Sequence, residues 1–220
     1  PNENWSYSEQ VGGTPGALNF PDENAPPATT TIPLFGLDTT WRFNEAGDDL
    51  GVDWAATAHA IGGNWDSGQA VLASESGLAE TINTSLAFPG LNFPYRVTYY
   101  FEKEFELSAA QASALQSLPI RHLIDDGAVF YLNGTEVLRT NLPGGVITSA
   151  TRATENIEAV LSSPIPLPPG AAVAGTNRFS VEVHQPSGNS SDIVFGAELD
   201  MVIEDATLGS APQIAINEIP

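Results

Sequence analysis

Asp125-Asp126-Gly127-Ala128-Val129-Phe130-Tyr131-Leu132-Asn133-Gly134-Thr135-Glu136-Val137 is the stretch whose reading decides the fold. It reads as a tight turn, a strand, a second tight turn and another strand. Asp-Gly and Asn-Gly are the dipeptides that most readily take the positive φ angles of hairpin turns. Ala174-Gly175-Thr176-Asn177-Arg178-Phe179-Ser180-Val181-Glu182-Val183-His184-Gln185 belongs with it, as a turn leading into an alternating strand.

Alternation extends the strand reading outward. Val97, Tyr99, Phe101, Phe105 and Leu107 share one face, with Lys103 as an exception, while Thr98, Glu102, Glu104 and Glu106 share the other. Phe179, Val181 and Val183 alternate with Ser180, Glu182 and His184. Phe195, Ala197, Leu199, Met201 and Ile203 alternate with Glu198 and Asp200. These last two strands read as a hairpin joined by a broad polar loop, 185–192. Thr40-Trp41-Arg42-Phe43 reads as the first strand, 44–68 as a long acidic loop and 155–161 as a further strand. The Ala-rich run 108–115, with Ser108 as N-cap, reads as the single short helix.

Composition agrees with an all-β chain. Gly and Pro number 20 and 17 in 220 residues, spaced as turns, and an apolar fraction of 42% supplies a full core. Acids outnumber bases 27 to 7, for a net charge of −20, and Lys103 is the only lysine. Such a charge repels phosphate backbones and anionic membranes, which argues against nucleic acid as a partner. The absence of cysteine excludes disulfides and thiolate metal sites. No stretch reaches the length of a membrane span, so membrane insertion is not expected. The chain opens on Pro-Asn-Glu without Met or a signal peptide, and reads as a segment of a longer protein.

The two quoted stretches resemble the galactose-binding-like jelly roll, through an Asp-Asp-Gly-Ala…Tyr-Leu-Asn-Gly hairpin and a Gly-Thr-Asn…Val-Glu-Val-His-Gln strand. The resemblance implies a two-sheet antiparallel β-sandwich over residues 37–205, of the kind that recurs in large secreted bacterial proteins and beside glycoside hydrolase domains. Pro15-Gly16-Ala17-Leu18-Asn19 resembles the close of a lamin-tail domain, which would make 1–20 the end of a preceding module. The Pro- and Thr-rich stretch 21–36 reads as an extended linker. Ile214-Ala215-Ile216-Asn217-Glu218-Ile219 resembles the opening strand of another lamin-tail domain, which would make 206–220 a linker and the start of a following module.

Catalysis has little support. There is no thiol, no Gly-x-Ser-x-Gly elbow and no His-Glu-x-x-His pair. Glu102 and Glu104 lie two apart on one strand face, but an exposed row of glutamates has the same spacing. Sugar binding needs an aromatic platform beside hydrogen-bonding side chains. Asn64-Trp65-Asp66 has that composition in a polar loop, and Trp54, Tyr95 and Tyr131 are further aromatics to weigh, against the competing reading that Trp41 and Trp54 belong to the core and Trp65 packs in the core or its loop. Glu45, Asp48, Asp49 and Asp53 fall within nine residues of a Gly-containing loop and offer the oxygen ligands calcium takes, though without an EF-hand register. The jelly-roll resemblance implies a structural Ca2+ between the first loop and the last strand, which would add Glu198 or Asp200. Glu182, His184, Glu198 and Asp200 would converge if their strands paired, and a His flanked by carboxylates can bind a transition metal, but such residues more often form a solvated sheet face. Asp125 and Asp126 are expected to fix their turn by accepting backbone N–H groups.

The expectation is therefore a secreted, extracellular, non-catalytic accessory module. It would bind carbohydrate through Asn64, Trp65 and Asp66, with Ca2+ at Asp48, Asp49, Asp53 and Glu198 and neighbouring domains of the same chain as further partners. The competing expectation is a spacer or adhesion module with no small ligand.

Overall fold

The computed structural model describes residues 27–87, 96–188 and 190–204. Tyr95, the two lamin-tail-like phrases and the linker up to residue 26 lie outside them. Twelve strands and one α-helix follow in chain order: β1 (Thr29–Phe35), β2 (Thr40–Asn44), β3 (Trp65–Gln69), β4 (Leu72–Ser74), β5 (Thr84–Ser85), β6 (Thr98–Leu107), α1 (Ala109–Ala114), β7 (Leu115–Asp125), β8 (Gly127–Leu132), β9 (Thr135–Thr140), β10 (Ile165–Leu167), β11 (Gly175–His184) and β12 (Ile193–Glu204). One sheet runs β10-β7-β12-β4-β5, with β1 also paired to β12. The other runs β3-β2-β6-β11-β8-β9. Every register described is antiparallel except the short β4–β5 pair. The protein is an all-β, two-sheet sandwich, and residues Thr31–Ile203 form one compact unit of it.

The core forms where the inward faces of the long strands meet. Tyr99, Phe101, Phe105 and Leu107 of β6 and Phe179, Val181 and Val183 of β11 face Phe195, Ala197, Leu199 and Met201 of β12. Phe101 stacks on Phe195 with ring centroids 3.9 Å apart, and Trp41 meets Phe195 edge-on at 4.8 Å, so one ring of β12 binds two strands of the opposite sheet. Lys103, the exception on β6, reaches outward to donate to Thr40 O at 3.2 Å, its ammonium 5.9 Å from the Phe35 ring centroid. The helix forms as the sequence predicts. The Ser108 side chain accepts from Gln111 N while the Gln111 side chain accepts from Ser108 N, a complete capping box.

The second quoted turn also forms as predicted. Asn133 (φ 53°) and Gly134 (φ 80°) close the β8–β9 hairpin, with Leu132 opposite Thr135. The first does not. Asp125 ends β7 in one sheet and Gly127 begins β8 in the other, so Asp125-Asp126-Gly127 is a crossing between layers rather than a hairpin turn. The Asp125–Asp126 peptide bond is cis, and Gly127 does not take a positive φ. Glycine is needed at 127 for room, since a Cβ would fall 2.8 Å from Asn141 O and 3.2 Å from Ala153 Cβ.

Four further expectations change. From Thr29 onward the Thr-rich stretch read as linker is strand β1, because Ile32, Leu34 and Phe35 pack on the core. The long loop 44–68 contains a turn of 3-10 helix, Trp54–Ala56, and most of β3. Residues 155–161 are not a strand; they run as irregular chain across the outer face of β7 and β12. Finally, β11 and β12 do not form a hairpin. The segment between them crosses from one sheet to the other.

Candidate functional site

Two outer sheet faces carry the polar and aromatic side chains from which a site would be built. On the β3-β2-β6-β11-β8 face, register places Trp65, Asn44, Tyr100 and Glu182 in one row, and Ser67, Arg42, Glu102, Ser180 and Tyr131 in the next. Chain from 45 to 64 folds over them. Trp54 and Ala55 pack with Trp65 and Tyr100 as a second apolar cluster. The Trp54 ring meets Tyr100 at 4.8 Å, and His59 stacks on Trp65 at 4.4 Å with planes 12° apart.

Trp65 is therefore 8% exposed and serves as packing, not as an open platform. The cause is local: Gly62 and Trp65 exchange backbone hydrogen bonds of 2.9 and 3.1 Å, which turns the preceding chain back over the ring. Asn64 and Asp66 are exposed, but Asn64 Nδ2 donates to Asp48 Oδ2 and Asp66 Oδ1 accepts from Ser67 N. Trp41 and Trp54 are buried as well, and Tyr131 is half-buried beneath the cap.

Burial overturns the solvated-face reading for Glu102 and Glu182, while Glu104 and Glu106 keep it. Glu102 is fully buried. Its Oε1 accepts from Arg42 Nε at 2.7 Å and His59 N at 2.8 Å, while Oε2 lies 3.0 Å from His59 Nδ1. Glu104, its neighbour in the predicted pair, is exposed and meets Arg42 Nη2 at 3.3 Å. Glu182 is buried too; its Oε1 accepts from Tyr131 Oη at 2.5 Å and its Oε2 lies 3.5 Å from His184 Nε2. Burial, with Glu182 adding to it, holds the Tyr100 and Tyr131 phenols protonated well above the usual range. Both glutamates are engaged from two sides and closed to solvent; Glu102 clamps the cap through His59, whereas Glu182 ties β11 to Tyr131 of β8, and neither is open to a substrate.

The predicted metal ligands are not brought together. Asp48 receives the Asn64 amide, Asp49 Oδ1 accepts from Gly51 N, and exposed Asp53 precedes the 3-10 turn without capping it. Glu198 lies on the outer face of the opposite sheet, where its Oε1 accepts from Arg121 Nη1 at 2.9 Å. Glu182 and His184 do not meet Glu198 and Asp200, because β11 and β12 belong to different layers.

A cluster that sequence reasoning missed sits at one end of the β7-β12-β4 face. Ser74 pairs with Ile193 and Asp125 with Val194, so β4, β7 and β12 reach that end together. Alternation then puts Glu75, Asp125 and Asp192 on the outer face, with Ala73, Leu123 and Val194. The 155–161 segment supplies Glu158, held in place because Ile157 N donates to Asp126 Oδ1 at 2.8 Å and Ser162 N to His122 O at 2.9 Å. One carboxylate oxygen from each of Glu75, Glu158 and Asp192 lies within 4.8 Å of the others.

Behind them Asp125 is 3% exposed and Asp126 fully buried. The two carboxyls share a hydrogen bond, in which a protonated Asp125 donates to Asp126. Burial, then the charges of Asp126 and Asp192, push the Asp125 carboxyl up to about 8; burial pushes Asp126 up to about 6. Asp126 does accept a backbone N–H, as its sequence suggests, but from a residue 31 positions away. A cleft of about 320 Å³, lined by residues 75–80 and 158–161, opens beside the cluster and shares Glu75 and Glu158 with it.

No protein-family model and no curated protein matches the chain. Among solved structures, β-glucuronidase from Ruminococcus gnavus is similar. Its complex with uronic deoxynojirimycin matches at 13% identity and a TM-score of 0.46, over 81% of this chain and 30% of that one. Its complex with N1-substituted uronic isofagomine matches at 15% identity and a TM-score of 0.46, over 84% and 32%. A further crystal structure of that enzyme matches at 14% identity and a TM-score of 0.45, over 81% and 29%. The chain thus spans less than a third of the length of these neighbours. No helix among the described residues is long and apolar enough to cross a membrane.

Proposed function

We propose that this sandwich is a non-catalytic, galactose-binding-like accessory module of a secreted multidomain protein, and that its principal task is to space and display neighbouring segments of the same chain. One observation carries this reading: among the described residues no Trp, Tyr or Phe ring is exposed. A sugar platform needs an open ring face, and Trp54, Trp65 and Tyr100 spend theirs on each other and on His59. The buried glutamates support the non-catalytic part. General acid–base work requires a carboxyl within reach of a substrate proton, whereas Glu102 and Glu182 are closed off and already engaged.

The cleft between 75–80 and 158–161 favours a second reading, carbohydrate binding without an aromatic platform. Its rim carries Glu75, Glu80 and Glu158, which can accept from sugar hydroxyls, and its wall carries Leu78 and Leu161. A glycan array of plant, algal and bacterial polysaccharides, probed with the 29–204 body with and without calcium, decides between the two. No binding under either condition supports the spacer. Binding abolished by Glu80→Ala supports the cleft and overturns the spacer reading.

A further inference from the structure

The first and last strands of the sandwich, β1 and β12, lie side by side. One contact fixes their relative direction. A Cβ on Gly196 would fall 3.1 Å from Leu37 Cδ2, so Leu37, just past the end of β1, sits against the early part of β12. A parallel β1 would put Leu37 beyond Glu204, about 26 Å from Gly196 at strand rise. β7 holds one edge of β12, and β4 holds the start of the other at Ile193–Phe195. β1 therefore runs antiparallel along the rest of that second edge, in line with β4. The chain enters the body at Thr31 and leaves it at Ile203 beside its own point of entry. Ser74 and Asp125, opposite Ile193 and Val194, mark the far pole, about 35 Å away along β12. The 75–80 and 158–161 cleft is at that far pole.

We propose that the sandwich is a side branch on its chain, and that β1 is a strap which tension along the chain peels off, lengthening the connection while the rest of the body stays folded. Ladder bonds of an antiparallel pair run perpendicular to its strands. Pulling the adjacent ends of β1 and β12 apart therefore loads one bond at a time, whereas sliding the strands lengthwise would load them all together. β1 is also the more weakly held partner. Thr29–Thr31 and Pro33 are exposed, Ile32 and Leu34 are half-buried, and Pro33 has no N–H to give. β12 is laddered to β7 from Val194 to Ile203. Resistance gathers at Phe35, whose ring meets Trp41 at 5.4 Å, Phe179 at 5.8 Å and Phe105 at 6.2 Å. Past Phe35 the peeling meets β2, which is laddered on both sides, to β3 and β6, and carries the fully buried Trp41. Release thus stops before β2 and frees 29–39, about 35–40 Å of extended chain. The strap rests on the reading of the sandwich as one module of a longer chain, and it works whether or not the cleft takes a glycan.

The test is optical-tweezers stretching of the full chain, which has no cysteine of its own, through handles on Pro1→Cys and Pro220→Cys. A reversible lengthening of about 35–40 Å is expected at low force, ahead of unfolding of the rest. Moving the second handle to Ser191→Cys, an exposed position at the far pole, loads β1 and β12 lengthwise and should raise the force of that step severalfold. Phe35→Leu should lower the force in the first geometry and leave the length released unchanged. Unfolding in a single step with no short release overturns the proposal. So does an equal first-step force in the two geometries, which needs no core variant to fold, or a release force unaltered by Phe35→Leu. The glycan array reads the cleft alone, so its outcome and that of the stretching experiment are separate.

Discussion

Asn133 donates through Nδ2 to Asn177 Oδ1 at 2.9 Å, joining the tip of the β8–β9 hairpin to the entry of β11. The two motifs from which the fold is legible in sequence thus meet in space. Asn133 also exchanges bonds with Arg178, its backbone N donating to Arg178 O and its Oδ1 accepting from Arg178 N, both at 2.9 Å. Asn177 is fully buried, donates to Val173 O and Gly175 O, and accepts from Val173 N. One amide therefore sets the turn before β11 and anchors the hairpin beside it.

Asn177→Ala should destabilise the sandwich by about 1–3 kcal/mol, because it strands Val173 N without its acceptor and leaves the Asn133 amide with Ala171 O alone. Urea unfolding followed by tryptophan fluorescence gives the number. A midpoint unchanged from wild type would mean that the turn is held by other contacts.

Trp65→Ala should cost about 3–5 kcal/mol, the range for deleting a buried indole. It also removes the ring on which His59 stacks. A thermal melt within a degree of wild type would show instead that the indole is dispensable and that the cap closes without it.

Removing the buried Glu102 carboxylate leaves Arg42, His59 N and the His59 ring without their shared partner. Glu102→Ala should therefore destabilise by about 3–5 kcal/mol and loosen the cap ahead of the core. Hydrogen exchange should accelerate at residues 54–59 first. Uniform acceleration across β6 and β11, with no lead at the cap, would contradict the clamp.

His122 sits between Ser162 and the Phe130 ring, and burial pushes its imidazole down to about 4. Unfolded, it titrates near 6.5, so on acidification the unfolded chain takes the proton first. Its contribution is fully present above about pH 6.5, is lost as pH falls toward 4, and amounts to at most about 3 kcal/mol. His122→Gln should show a shallower decline in stability across that window. Parallel curves for the two proteins would remove His122 from the acid response.

Alternation was enough to find β6, β11 and β12 and their inward rings, because strand side chains repeat every second residue whatever the partner strand. It could not say that β11 and β12 lie in different layers, since a buried face reads the same in either sheet. Trp65 looked like a platform because its neighbours Asn64 and Asp66 are polar, yet its burial comes from a cap that closes back through Gly62. Glu182 and His184 read as solvated for the same reason: local sequence carries no trace of what folds over it. The acidic cluster was hidden by distance along the chain: Glu75, Asp125 and Asp192 meet through the β4–β12–β7 register, and Glu158 joins them only because an irregular segment is pinned across that face.

The flanks of the two sheets have a bearing on crowding. β5 is two residues long, and β10 is three with Pro166 at its centre, so neither offers a ladder of free amides to a visiting strand. On the other sheet, Arg139 of β9 is drawn across to Glu136 and to the carbonyls of Pro143 and Gly145. These three edges, on a chain with a charge of −20, resist a strand from a neighbouring copy, which leaves β1 and β3, each laddered to a single strand among the described residues, as the flanks where copies crowded together would pair.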